Sequence, residues 1–170
     1  ERCRVPLSQL SLTATVAWQK NVPVPGFADV VQGNDSVSAD LSGVALATWD
    51  QMFAAQYTVA PAGAQVVDLR SFTDVTGAAV TGTRALLVMV TVAGAAADAL
   101  NVRPAASAPL QWFFGDTAEG VNVPGGGALL FSAGAGAPGA VVDGTHRNLV
   151  LTNTGSADLV VKILVVLSDV

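Results

Sequence analysis

The chain has 170 residues, 51% of them hydrophobic and only 12% charged, with a net charge of −5 and a mean hydropathy of +0.52. That length suits one ordinary domain with a real core. The acidic balance repels a phosphate backbone and argues against nucleic acid as a partner. An apolar composition with only two lysines, Lys20 and Lys162, implies that some of the surface meets protein.

The longest nearly uncharged apolar run, 85–97, falls well short of the roughly 20 residues a membrane-spanning helix needs, so no membrane partner is expected. Glu1, Arg2, Cys3 and Arg4 open no charged-then-apolar leader. Residues 1–9 read as an N-terminal arm and 10–170 as a single domain. Cys3, the one cysteine, provides no intrachain disulfide and reads as an incidental thiol.

In chain order, the first strand is predicted from Leu10 to Trp18, where Leu10, Leu12, Ala14, Val16 and Trp18 alternate with Ser11, Thr13 and Thr15. Between Asn21 and Asp40, Pro23, Pro25, Gly26, Gly33, Asn34 and Asp35 predict a long interaction loop with at most short pairing. Thr48 to Gln51 resembles a helix-capping box, but alternation of Phe53, Ala55, Tyr57 and Val59 favours a strand from Met52 onward. A turn at Ala60–Gly63 then joins it to 64–69 as a hairpin.

After a loop at Thr73–Gly77, the stretch from Arg84 to Val92 is apolar on both faces and predicts a sheet centre. Short strands follow at Leu100–Arg103 and Leu110–Phe114, set apart by Pro104 and Pro109, and at Val121 onward, Ala128–Ser132 and Ala140–Val142. The end, 148–170, reads as a second hairpin whose last strand is apolar on both faces except at Lys162. Its Leu159, Val161, Ile163, Val165 and Leu167 side is expected to face the core, and its Lys162 side a neighbouring layer or subunit. About nine or ten short strands without a convincing helix predict an all-β antiparallel sandwich, with the jelly roll as one form it can take.

Residues able to do chemistry are few. Asp143 and His146 flank Gly144 and Thr145, yet no nucleophile elbow accompanies them, and the segment reads as a turn. Gly125, Gly126 and Gly127 lead into Ala128, Leu129 and Leu130 rather than into a phosphate-loop Lys and Ser or Thr, so they too read as a turn. No His or Cys pair has metal-ligand spacing. No catalytic, metal or cofactor residue is therefore assigned. Trp18, Trp49 and Trp112, with Tyr57, offer flat rings for a sugar, or for a protein interface or core. Trp18, Trp49, Trp112 and Lys162 are the candidate interface residues.

From Phe53 onward, with the first strand added, an ordered set of short motifs carries a resemblance. These are Val67–Leu69 followed by Phe72–Asp74; Gly77, then Thr83–Ala85 opening an apolar strand; Asn101 and Val102; Val123–Gly126 before an apolar strand; and Leu149–Asn153 with a small-residue turn and a final apolar strand. In their order they resemble small all-β structural proteins of tailed bacteriophages. The resemblance implies a virion component without enzymatic activity or cofactor, made in the host cytoplasm and placed on the capsid surface. As a decoration, or cement, protein it would partner the major capsid protein and copies of itself. A neck, tail or head-fibre component, or a carbohydrate-binding sandwich, is the alternative.

Overall fold

The computed structural model describes residues 11–24, 27–40, 51–73, 77–111, 114, 116–133 and 139–168. They divide into two compact units, one holding residues 11–40 and the other the residues from 51 onward. The arm, with Cys3, lies outside the described residues.

The first unit is a two-stranded antiparallel ribbon. Strand β1, Ser11–Val24, pairs with β2, Phe27–Asp40, in unbroken register from Ser11↔Asp40 to Val24↔Phe27. The expected loop over 21–40 is therefore strand over most of its length. Its polar residues mislead because their partners are far away in sequence: Asn34, Ser36 and Ser38 fall opposite Ala17, Thr15 and Thr13 in the ladder. A strand with Asn and Ser at alternate positions looks, residue by residue, like a loop.

The second unit is a sandwich of two antiparallel sheets. Its strands are β3 (Gln51–Val59), β4 (Ala64–Asp68), β5 (Arg84–Ala93), β6 (Ala99–Pro104), β7 (Val121–Pro124), β8 (Ala128–Ser132), β9 (Ala140–Val141), β10 (Asn148–Asn153) and β11 (Leu159–Ser168). One sheet runs β3-β11-β5-β8, with β9 also pairing β5, and the other runs β4-β10-β6-β7. No helix occurs among the described residues. The all-β antiparallel sandwich expected from the strand pattern is what forms.

The pairing nests. First with last, β3 meets β11; then β4 meets β10, β5 meets β8, and β6 meets β7. A chain paired in this order is one long hairpin rolled onto itself, the connectivity of a jelly roll. Rolling corrects two expectations. The turn at 60–63 forms, with the Gly63 N–H donating to the Ala60 carbonyl at 2.8 Å, but β3 and β4 lie in different sheets. Likewise β10 and β11 belong to opposite sheets and do not form a hairpin. Both connections are arches across the core.

Asn153 explains how the arches hold. It is 1% exposed, and its Nδ2 donates to the carbonyls of Val59 and Ala157, each at 2.8 Å, while its Oδ1 accepts from the Gly155 N–H at 2.8 Å. Its own N–H donates to the Gly63 carbonyl at 3.0 Å. One residue thus ties the β3–β4 corner to the β10–β11 corner, satisfying polar groups that burial would otherwise orphan. The neighbouring corner joins in: buried Asp98, between β5 and β6, accepts from the Ser156 N–H at 2.7 Å, and the Gly125 N–H donates to the Asp98 carbonyl at 2.8 Å.

The core lies between the sheets. Leu159, Val161, Ile163, Val165 and Leu167 are at most 1% exposed, as the alternation of β11 predicts. They pack with Phe53 from β3, Val88 and Val90 from β5, Leu100 and Val102 from β6, and Leu149 and Leu151 from β10. Each such side chain contributes about 1.5–3 kcal/mol when fully buried. The two doubly apolar strands, β5 and β11, are neighbours in the middle of one sheet.

The strand expected at Leu110–Phe114 does not form over its described residues. Ala108 has φ +47°, which turns the chain, and Pro109 has no N–H to give a ladder. Leu110 is fully buried nonetheless, its N–H donating to the Asn148 carbonyl at 3.0 Å. Trp112 and Phe113 lie outside the described residues.

Candidate functional site

The outer faces of the two sheets differ in chemistry. On the β4-β10-β6-β7 sheet, Val66, Val150 and Arg103 form one row, and Ala64, Thr152, Asn101 and Asn122 the next. Asn101 Nδ2 donates to Asn122 Oδ1 at 2.8 Å, and Arg147 Nε lies 3.3 Å from Asp68 Oδ2 at the end of the same face. This face mixes polar Arg103, Asn101, Asn122 and Thr152 with apolar Ala64, Val150 and Val66, the last 52% exposed.

The outer face of the β3-β11-β5-β8 sheet is apolar. Register sets Met52, Val166, Leu87 and Ser132 in one row, then Ala54, Leu164, Met89 and Leu130, then Gln56, Lys162, Thr91 and Ala128. In these rows Lys162 is the sole charge. Val166 and Leu87 are buried at one end, and from them a partly exposed stripe of Leu164, Met89 and Leu130 runs out across the sheet. A shallow depression of about 400 Å³ opens here, lined by Ala54, Gln56, Met89, Thr91, Lys162 and Leu164.

This face arises from sequence in a simple way. Strands β5 and β11 carry apolar residues at both alternating positions, so filling the core leaves a second apolar set pointing outward. A sheet with one solvated face normally alternates apolar and polar residues; here that alternation is broken by Leu87, Met89, Leu164 and Val166, of which Met89 and Leu164 are partly exposed. Lys162, with its aliphatic stem, lies on this surface and is exposed.

Of the four residues expected at an interface, Lys162 is brought onto this face. Trp18 stands in β1 opposite Gly33, and Trp49 and Trp112 fall outside the described residues. Leu164 lies on the Lys162 side that the alternation of the last strand assigns to a neighbouring layer or subunit, whereas Met89 and Leu130 are the residues that sequence reasoning misses. Their signal is present in the double apolarity of β5 and β11, but only the pairing register joins them into one patch.

The other polar and glycine clusters singled out in the sequence form turns. Asp143 Oδ1 accepts from the Thr145 N–H at 2.6 Å, the Thr145 hydroxyl at 2.8 Å and the His146 N–H at 2.8 Å, and lies 3.1 Å from His146 Nδ1. The Thr145 hydrogen bonds, with those of His146, hold the Asp143 carboxyl down to about 2. The result is a tight turn ahead of β10. In the glycine turn between β7 and β8, Gly126 has φ +77° and its N–H donates to the Val92 carbonyl at 2.8 Å. A Cβ on Gly125 would run into the Ala95 carbonyl, so the close backbone crossing there requires glycine. Among the described residues no group of His, Cys, Asp or Glu could hold a metal ion, and no helix is long and apolar enough to cross a membrane.

Fold and surface together define a class: a jelly-roll sandwich with one mixed outer face and one outer face whose rows carry a single charge. Jelly rolls serve as capsid proteins, lectins and enzymes alike, so the connectivity selects no activity by itself. No protein-family model matches the chain, and a search of curated proteins finds no match.

Proposed function

We propose that this chain is a non-enzymatic structural protein of a tailed-phage virion, a decoration protein that binds the major capsid protein and reinforces the capsid lattice. The observation that carries the reading is the apolar outer face around Leu164, Met89 and Leu130, with Lys162 the one charge in its rows. A partly exposed apolar surface of this kind is what a protein contact buries. The ordered motifs that resemble tailed-phage structural proteins support a capsid contact.

The mechanism is additive. Each copy contributes a modest contact, and repetition over a lattice raises the stability of the shell through mass action and avidity. The acidic net charge keeps the molecule away from the genome and soluble at high local density.

Binding to capsids that lack the chain tests this reading. Purified protein should co-sediment with such shells at a saturating, lattice-defined stoichiometry, and Leu164→Glu should abolish binding while leaving the fold intact. Failure of the wild-type chain to bind shells, or full binding by Leu164→Glu, would refute it.

A further inference from the structure

The sandwich has four sheet edges, and they are not equally guarded. A free edge offers unpaired N–H and C=O groups, and natural proteins blunt it with charge, proline, a bulge or shortness. Strand β4 is five residues long and carries Asp68. Strand β7 has four residues and ends in Pro124. Strand β8 has five, and β9 shares the β5 edge beside it.

Strand β3 has none of these devices. It runs nine residues, Gln51–Val59, without a charge or a proline. Its register with β11 is unbroken from Leu167↔Gln51 to Leu159↔Val59, so no bulge twists it away. Among the described residues, β11 is its only strand partner.

We infer that β3 pairs antiparallel with β3 of a second copy, about a twofold axis at Ala55, making one continuous sheet from two sandwiches. The strand is complementary to itself. Full overlap sets Gln51 opposite Val59, Met52 opposite Thr58, Phe53 opposite Tyr57, and Ala54 opposite Gln56, and brings Ala55 onto its own copy. No like charges are opposed, and an alanine sits on the axis, where two copies of one residue meet most closely. A closed twofold contact also uses up the edge on both partners, so assembly stops at two.

Parity selects the second copy further. In this register even positions face even positions, so Met52, Ala54, Gln56 and Thr58 of both copies lie on the same outer side. The outer faces of the two sheets then join across the axis into one surface twice as wide, in which the Leu164, Met89 and Leu130 row of each copy meets the Lys162 row of the other. That surface is the one assigned above to capsid contact, and pairing would present two such faces together. The pairing itself does not rest on the virion reading, because it follows from the β3 edge alone.

Analytical ultracentrifugation of the full chain tests the pairing, in parallel with two double variants at exposed positions of β3. In Ala54→Glu/Gln56→Glu, the carboxylate introduced at position 54 of each copy faces the one introduced at position 56 of the other. Dimerisation should then weaken roughly tenfold or more. In Ala54→Lys/Gln56→Glu, an ammonium at position 54 faces a carboxylate at position 56 across the axis, and the dimer should persist. Ala54 and Gln56 are exposed, so the unfolding midpoints of both variants should stay near that of the wild type. A wild-type chain monomeric up to its solubility limit overturns the inference, as does a dimer that both variants keep or both lose. Shell co-sedimentation of the wild-type chain, measured separately, reports on capsid binding independently of the outcome, since Ala54 and Gln56 belong to the proposed contact face themselves.

Discussion

Replacing Asn153 with alanine should be among the most damaging polar substitutions in the molecule. Its side chain is 1% exposed and makes three hydrogen bonds of 2.8 Å, two from Nδ2 to the Val59 and Ala157 carbonyls and one to Oδ1 from the Gly155 N–H. Alanine leaves those three backbone groups without that partner. An orphaned buried group costs about 1–3 kcal/mol, and the carbonyls of a corner recover part of this from water, so a loss of about 3 kcal/mol is expected. With a urea slope of about 1–3 kcal/mol per molar, the unfolding midpoint should fall by at least about 1 M. Asn153→Asp should cost no less, since it keeps the acceptor for Gly155 and turns the donors toward both carbonyls into a charge. Thr154→Ala is the control: its exposed hydroxyl donates to the Ala99 carbonyl, which the Thr154 N–H already serves, and its loss should cost within about 1 kcal/mol. Equal midpoints for Asn153→Ala and Thr154→Ala would refute the idea that Asn153 fastens the two arches.

Further outcomes follow from the same structure. Val165 is fully buried at the centre of β11, so Val165→Asp should cost several kcal/mol and leave no cooperative unfolding transition by circular dichroism. Gly125→Ala should lower the melting temperature more than Gly144→Ala, because a Cβ at 125 meets the Ala95 carbonyl and one at 144 meets nothing within 4 Å. Asp143 titrates near 2 in the folded chain against an ordinary 3.8, so its turn contributes stability above the ordinary value that is lost as pH falls through about 2. Carboxyl NMR shifts should place its midpoint near 2, and a midpoint near the ordinary value would contradict the hydrogen-bonded turn.

The strands of the sandwich were legible where alternation was strong. In β11, the period of two picks out Leu159 to Leu167 as the core side, and the structure buries that side. Turns were legible as turns, at Ala60–Gly63 and Gly125–Gly127, because proline and glycine report local backbone geometry. Where the chain goes after a turn was not legible. The segments at 60–63 and 154–158 look like hairpin loops, yet each crosses from one sheet to the other. What sends them across is the long-range pairing of β3 with β11 and of β4 with β10, fixed by residues almost the whole domain apart. β2 was missed for a different reason, since Asn34, Ser36 and Ser38 are poor strand formers individually and make sense only against Ala17, Thr15 and Thr13 on the facing strand. The apolar outer face was half legible: its residues stand in β5 and β11 in plain view, but their union with Leu130 of β8 needs the register of three strands.

Cryo-electron microscopy of the tailed-phage particles proposed to carry this chain tests the account most directly. It predicts density for the sandwich repeated over the capsid lattice, with the Leu164, Met89 and Leu130 face turned toward the major capsid protein. Particles whose shells carry no copy, or copies bound through the Val66, Arg103 and Asn101 face instead, would contradict it.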